Sequence, residues 1–315
     1  MNISNINEHM TEQSYFSRGK LMITGEYLVM EGALSLALPL KLGQTLTVRT
    51  VAAHPGTLHW TTLVNNEPWF DSTFNHNFGI VETSAKDKAF LIQQILHEAF
   101  RISGKTLQAD VGYEVSTNLN FSPEWGFGSS SSLISNIAYW VGCDPFELFR
   151  HIATGSGYDI ACARAESPIL YSLVNGKPAI EPVHFRPSFS ENIWFIYLGK
   201  KQVSAESLAM YRMKIAQHHS TAQKITEITN AMVSATNLAN FETLVSEHED
   251  IIAKVIDTEP IKKSNFANFP GTVKSLGAWG GDFIMVTHSG TRAEVEKYFQ
   301  MKGLWPIFSF KEIIQ

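Results

Sequence analysis

The chain has 315 residues, 44% of them apolar and 17% charged, with a formal net charge of −5. This composition excludes a disordered or fibrous chain and allows one large hydrophobic core or two ordinary ones. The acidic balance gives no support for a nucleic-acid or anionic-membrane partner, and no apolar run nears the roughly 18 residues of a membrane span.

The first dozen residues, MNISNINEHMTE, are polar and lack a signal core, which leaves the cytoplasm by elimination. Residues 17–51 read as strand, turn and strand, punctuated by Gly19, Gly25, Gly32 and Gly43. Further hairpin strands are predicted near 56–60 and 68–71. The segment 86–103 predicts a helix with Phe90, Leu91, Ile95, Ala99 and Phe100 on one face and Gly104 as its stop. Residues 111–121 alternate like a half-buried strand. A polar turn at 126–132 then runs into Leu133, Ile134, Ile137, Ala138 and Val141, which share a helical face.

A shorter helix is expected near 145–153, a second turn at 154–159, and alternating strands to about 184. Pro182, Pro187 and Ser188 mark a domain boundary, giving 1–187 and 188–315. Past it come a buried strand at 193–198, helices at 204–235 and 238–257, and strands near 273–278 and 283–288. A helix at 292–301 and a strand at 305–310 complete the order β-α-α-β-β-α-β, which suits helices on one face of an antiparallel sheet. Cys143 and Cys162 each sit in an apolar stretch and read as buried thiols rather than a disulfide.

The turn Gly126-Phe127-Gly128-Ser129-Ser130-Ser131-Ser132 has what a phosphate needs. Residues without bulky side chains let several backbone N–H groups face one anion, and a following helix adds about half a positive charge. An ordinary serine-capped helix start looks the same, so this segment alone leaves both readings open. Competing motifs fail. Gly104-Lys105-Thr106 has the end of a P-loop, but Ala99 stands where its first glycine is required, and GFGSSS lacks the third glycine of a dinucleotide fingerprint. No nucleophile elbow or zinc-protease helix is present, and the eleven histidines show no metal-ligand spacing.

Three segments in order carry a family resemblance. Residues 17–33, SRGKLMITGEYLVMEGA, resemble the opening motif of the GHMP kinases. PEWGFGSSS at 123–131 is similar to their phosphate loop, and SLGAWGGD at 275–282 to their closing glycine-rich element. A fourth, GSGYDIA at 155–161, resembles the mevalonate kinase branch and a GYDIA-type subfamily.

The resemblance implies a two-domain α+β GHMP kinase fold. Its first domain would be like domain 2 of ribosomal protein S5 and its second ferredoxin-like, with the site in the cleft between them. It implies ATP-dependent phosphorylation of a small alcohol or phosphate, with mevalonate or phosphomevalonate the expected acceptor. A diphosphomevalonate decarboxylase-like enzyme and a nucleotide-binding pseudokinase or regulator are the alternatives. Asp159 would be the catalytic base with Lys20 beside it. Gly126, Gly128, Ser129, Ser130 and Ser131 would hold the nucleotide, and Glu26, Gly157, Lys201, Gly277, Ala278 and Gly280 would line the substrate site. Mg²⁺ would use Ser130 and Glu147. A monomer or homodimer is expected.

Three departures stand out. Tyr27 replaces a usual histidine, and Trp279 interrupts the final glycine run. Only 31 positions separate Gly128 from Asp159, which leaves no room for the insert that carries the family's metal-binding glutamate.

Overall fold

The computed structural model describes residues 12–200 and 219–315. The chain forms two compact units that interleave along the sequence instead of meeting at a single break near 187. Among the described residues the first comprises 12–19, 42–123 and 128–154, and the second comprises 20–41, 124–127, 155–200 and 219–315.

In the first unit a mixed sheet has the order β5 (Ile80–Thr83), β4 (Glu67–Asn75), β3 (Thr57–Val64), β6 (Gly112–Leu119) and the later part of β2 (Ser35–Val51). β3 and β6 run parallel and the other pairs antiparallel. Helices α1 (Lys86–Ser103), α2 (Ser129–Val141) and α3 (Pro145–Ile152) pack on one another. The buried face of α1 is Ala89, Ile92, Ile95, Leu96, Ala99 and Phe100, whereas Phe90 is 55% exposed. The expected face was therefore turned by about one residue. Two alanines place the helix close to its neighbours, and the larger Phe90 falls on the open side.

The second unit begins with the end of β1 (Glu12–Met22) and the start of β2, which pairs with β7 (Ile169–Val174). β7 and β8 (Lys177–Pro182) form a hairpin through Asn175-Gly176, both at positive φ as a tight hairpin turn requires. A short helix, α4 (Tyr158–Arg164), occupies residues read from sequence as turn and strand. Seven residues after two glycines are too few to show a helical period.

An antiparallel sheet follows in the order β10 (Thr272–Ser275), β11 (Phe283–Thr287), β9 (Ile193–Tyr197), β12 (Ile307–Ser309). The central strands IWFIY and FIMVT are apolar on both faces because both are covered. Helices α5 (His219–Val233), α6 (Leu238–Val255), α7 (Ile261–Asn265), α8 (Arg292–Gln300) and α9 (Phe310–Ile313) complete the unit. Its core gathers Trp194, Ile196, Phe266, Val286 and Phe299. The expected helix from residue 204 is described only from His219 onward. Among the described residues no helix is long and apolar enough to cross a membrane.

Candidate functional site

Lys20 lies on β1, where its backbone N–H donates to the Phe127 carbonyl at 3.0 Å. Its ammonium lies 3.3 Å from Asp159 Oδ1, and the two side chains are 12% and 22% exposed. Burial opposes charge on Lys20, but Tyr158, Asp159 and Asp282 outweigh it and hold the ammonium above its usual range. Asp159 sits in the first turn of α4, after Gly157 at φ 86°. A carboxylate is favoured there by the partial positive charge of the helix start. Burial, and then the Asp159 charge, push both the Tyr158 hydroxyl and the Cys162 thiol up, so each stays neutral. The Tyr171 hydroxyl donates to the Ser156 carbonyl and pins the loop before the helix. Gly157 itself is buried, and its carbonyl accepts the first helical bonds from Ile160 and Ala161, so it shapes the backbone and offers no face to a substrate.

Gly126 packs against a residue that the sequence reading did not single out. A Cβ there would lie 2.4 Å from the Asp282 carboxylate, and φ is +65°. The Asp282 backbone N–H donates to the Lys200 carbonyl at 2.6 Å. Phe127 stacks on Phe283 with ring centroids 4.6 Å apart, which fixes the turn where it hands over to Gly128.

Gly128 caps α2 at φ 88° and supplies no side-chain hydrogen bond. The N–H groups of Ser129, Ser130 and Ser131 therefore open the helix without a side-chain cap, the arrangement that suits an anion. The Ser132 hydroxyl is turned inward to Gln44 and the Ser129 carbonyl. Ser129 and Ser130 also line a small cavity of about 90 Å³ with Trp69, Phe70, Lys88 and Thr117. The Lys88 ammonium lies 4.8 Å from the centre of the Trp69 ring. None of Trp69, Phe70 or Lys88 had a sequence signal of its own.

Glu26 departs from the expectation that it meets substrate. It is 2% exposed, and the fully buried Lys274 donates to its carboxylate and to the Ser275 carbonyl. His248, also buried, accepts the Gly25 N–H on Nε2 at 3.0 Å, so its ring proton sits on Nδ1. Burial and then Lys274 hold this imidazole well below its ordinary range. Burial likewise pushes the Glu26 carboxyl up to about 7, against the pull of Lys274.

Folded Glu26 thus keeps its proton between about 4.5 and about 7, a window in which the unfolded chain has released it. The stability from this group falls as pH rises through that window. In urea titrations the advantage of the native protein over Glu26→Gln should shrink between pH 5 and pH 7.5. A pH-independent difference would show that this carboxyl does not titrate there.

In the closing glycine-rich element, Ala278 accepts the Tyr27 hydroxyl at 2.8 Å. Gly277 and Gly280 hold positive φ, and Gly280 borders a larger cavity with Trp279. The metal pair expected from sequence is not brought together. Ser130 lies in the first turn of α2 and Glu147 in the first turn of α3. Glu147 there faces Arg101 and Cys143. No cluster of three His, Cys, Asp or Glu side chains suited to a metal occurs among the described residues. Lys201 lies outside the described residues.

No family model matches the chain, and no curated protein matches it in sequence. Solved structures do match over nearly its whole length. The Methanococcus jannaschii mevalonate kinase aligns with a TM-score of 0.70 at 15% identity, covering 95% of this chain and 97% of that one. The L. major mevalonate kinase, solved in complex with R-mevalonate, gives 0.68 at 14% identity and covers 99% of each chain. The Streptococcus pneumoniae phosphomevalonate kinase, in complex with phosphomevalonate and AMPPNP, gives 0.68 at 17% identity, covering 94% and 99%. The fold is that of the GHMP kinases.

Proposed function

We propose that this protein is an ATP-dependent small-molecule kinase that phosphorylates a hydroxyl or phosphate of an acid such as mevalonate or phosphomevalonate. The single observation carrying this reading is the Lys20–Asp159 pair, 3.3 Å apart, with the Lys20 backbone bonded to Phe127 immediately before the glycine that opens α2. Residues 139 positions apart in the sequence meet in one ion pair. The likeness to kinases that act on such acids supports the same reading, and two unpaired cysteines, one fully buried, fit a cytoplasmic setting.

In this scheme the first-turn N–H groups of α2 hold the nucleotide phosphates, and Trp69 offers an aromatic face to the base. Asp159 accepts the proton of the acceptor hydroxyl. The freed oxygen attacks the γ-phosphorus, the bond to the β-phosphate oxygen breaks, and ADP leaves. Lys20 holds Asp159 across the 3.3 Å ion pair and stabilises the developing negative charge. The donor set does not fit a protein cage for Mg²⁺. The cation is assigned to nucleotide phosphates and water, a common mode for Mg²⁺, and no step is routed through it.

Mevalonate, phosphomevalonate, diphosphomevalonate, homoserine and galactose should be offered side by side with ATP while ADP and CO₂ are followed. ADP without CO₂ from one of the first two supports the proposal. Turnover of homoserine or galactose alone, CO₂ release from diphosphomevalonate, or no substrate-dependent ADP would overturn it.

Two binding results are expected. Gly128→Val forces a β-branched residue to φ 88°, a conformation costing roughly 1–3 kcal/mol, and it should abolish ATP binding measured by calorimetry. Trp69→Ala should weaken ATP about tenfold, the scale of one lost base–aromatic stack. Unchanged affinity in either folded variant would remove that residue from the nucleotide site.

A further inference from the structure

The second unit holds a cavity of about 590 Å³ that the proposed chemistry does not use. Neither Lys20 nor Asp159 borders it. It falls in the range of small-molecule sites.

The lining has a consistent chemistry. Ile261, Phe266 and Trp279 give it an apolar, aromatic base. Lys200, Lys302 and Glu259 are the charged groups around it, a balance of one positive charge. Trp279 is 7% exposed, and its indole N–H has no acceptor among the described residues.

The walls are also fixed in advance. Glu249 accepts the Ile261 N–H on Oε1 at 3.3 Å, and it accepts the Ser275 N–H on Oε2 at 3.1 Å and the Ser275 hydroxyl on Oε1 at 3.0 Å. Both Ile261 and Ser275 border the cavity, so one buried carboxylate ties two of its sides together. A site whose walls need no rearrangement loses less on binding. Lys302 is set over Phe266 and Tyr298, at 5.9 and 5.3 Å from their ring centres, which keeps its charge beside the aromatic base.

We propose that this cavity is a binding site for an amphipathic anion: an apolar body on Ile261, Phe266 and Trp279, with a carboxylate or phosphate head taken by Lys200 and Lys302. The site is separate from the Lys20–Asp159 pair, and its occupancy does not depend on the proposed kinase reaction.

The test uses the full chain labelled with ¹⁵N-tryptophan, with the indole signal of Trp279 assigned by its loss in Trp279→Phe. Octanoate, octyl phosphate and the neutral octanamide are titrated. The Trp279 signal should move with at least one of the two anions, and octanamide should bind at least tenfold more weakly. Lys302→Met should weaken the anion about tenfold, Ser264→Trp should block it, and Asp159→Asn should leave it unchanged. Lys302 and Ser264 are both exposed, so these variants should stay folded. A Trp279 signal unmoved by either anion at millimolar concentration overturns the proposal. Equal binding of octanamide, indifference to Lys302→Met, or loss of binding in Asp159→Asn would each do the same.

Discussion

Asp159→Asn should lower turnover by roughly 10²–10⁴-fold, the usual worth of a general base, with ATP affinity and unfolding midpoint close to native. The amide is nearly isosteric with the carboxylate, so α4 should form as before, but it cannot accept the proton of an attacking hydroxyl. Lys20 would keep its charge and lose the partner 3.3 Å away. A residue that served only to shape the turn would leave kcat intact when replaced by asparagine, which is itself a good turn former. Stopped-flow or coupled ADP assays at saturating ATP distinguish the two. Near-native kcat in a folded Asp159→Asn protein would refute the assignment of Asp159 as base. The accompanying variant, Lys20→Met, should lower kcat as well, and it should leave the Phe127 hydrogen bond in place because that bond uses the Lys20 backbone.

The largest loss of stability should come from Lys274→Met. Lys274 is fully buried on β10, with its ammonium on the Glu26 carboxylate and the Ser275 carbonyl. Removing it leaves Glu26 buried without its partner while one oxygen, Oε2, already lacks a hydrogen bond. Breaking a buried pair from one side costs roughly 3–5 kcal/mol. Above pH 7.5, where Glu26 is ionised in the native protein, the double variant Glu26→Gln/Lys274→Met removes the cost of stranding or reprotonating this carboxylate and should recover part of that loss. Urea unfolding of the native protein, both single variants and the double variant measures the coupling. A double variant no more stable than Lys274→Met would mean that Glu26 is not the group penalised.

How far the sequence led differs from element to element. α1 was legible to its end residues because eighteen residues of amphipathic period stop at a glycine. α2 was legible for the same reason, with a glycine at each end. α4 was not, since it is too short to show a period. Lys20 and Asp159 were legible only through resemblance, because nothing local predicts that a strand and a turn 139 positions apart will meet. Glu26 was assigned to substrate because it stands in a family motif, and its burial depends on Lys274, far along the chain. A signal for that network existed. His248 and Glu249 break the apolar stripe of α6 between Val245 and Ile252. Polar groups in such places are satisfied by one another when they are buried. The expected metal pair drew on two different helices, with Ser130 on α2 and Glu147 on α3, where Glu147 lies beside Arg101 and Cys143.

The interleaving of the two units sets an order on synthesis. The Pro39 carbonyl accepts the Gln315 N–H at 3.1 Å, and Leu40 bridges to Ile314. These backbone groups are made early and their partners are made about 270 residues later. At translation rates of about 5–20 residues per second the delay is roughly 14–55 s. During that time the early part of β2 carries unpaired backbone groups on a largely apolar strand, a template for pairing with another chain. The nascent protein is therefore most exposed to misassembly before residues 314 and 315 leave the ribosome. A ribosome-bound chain stalled short of them should engage holding chaperones more than the released protein does.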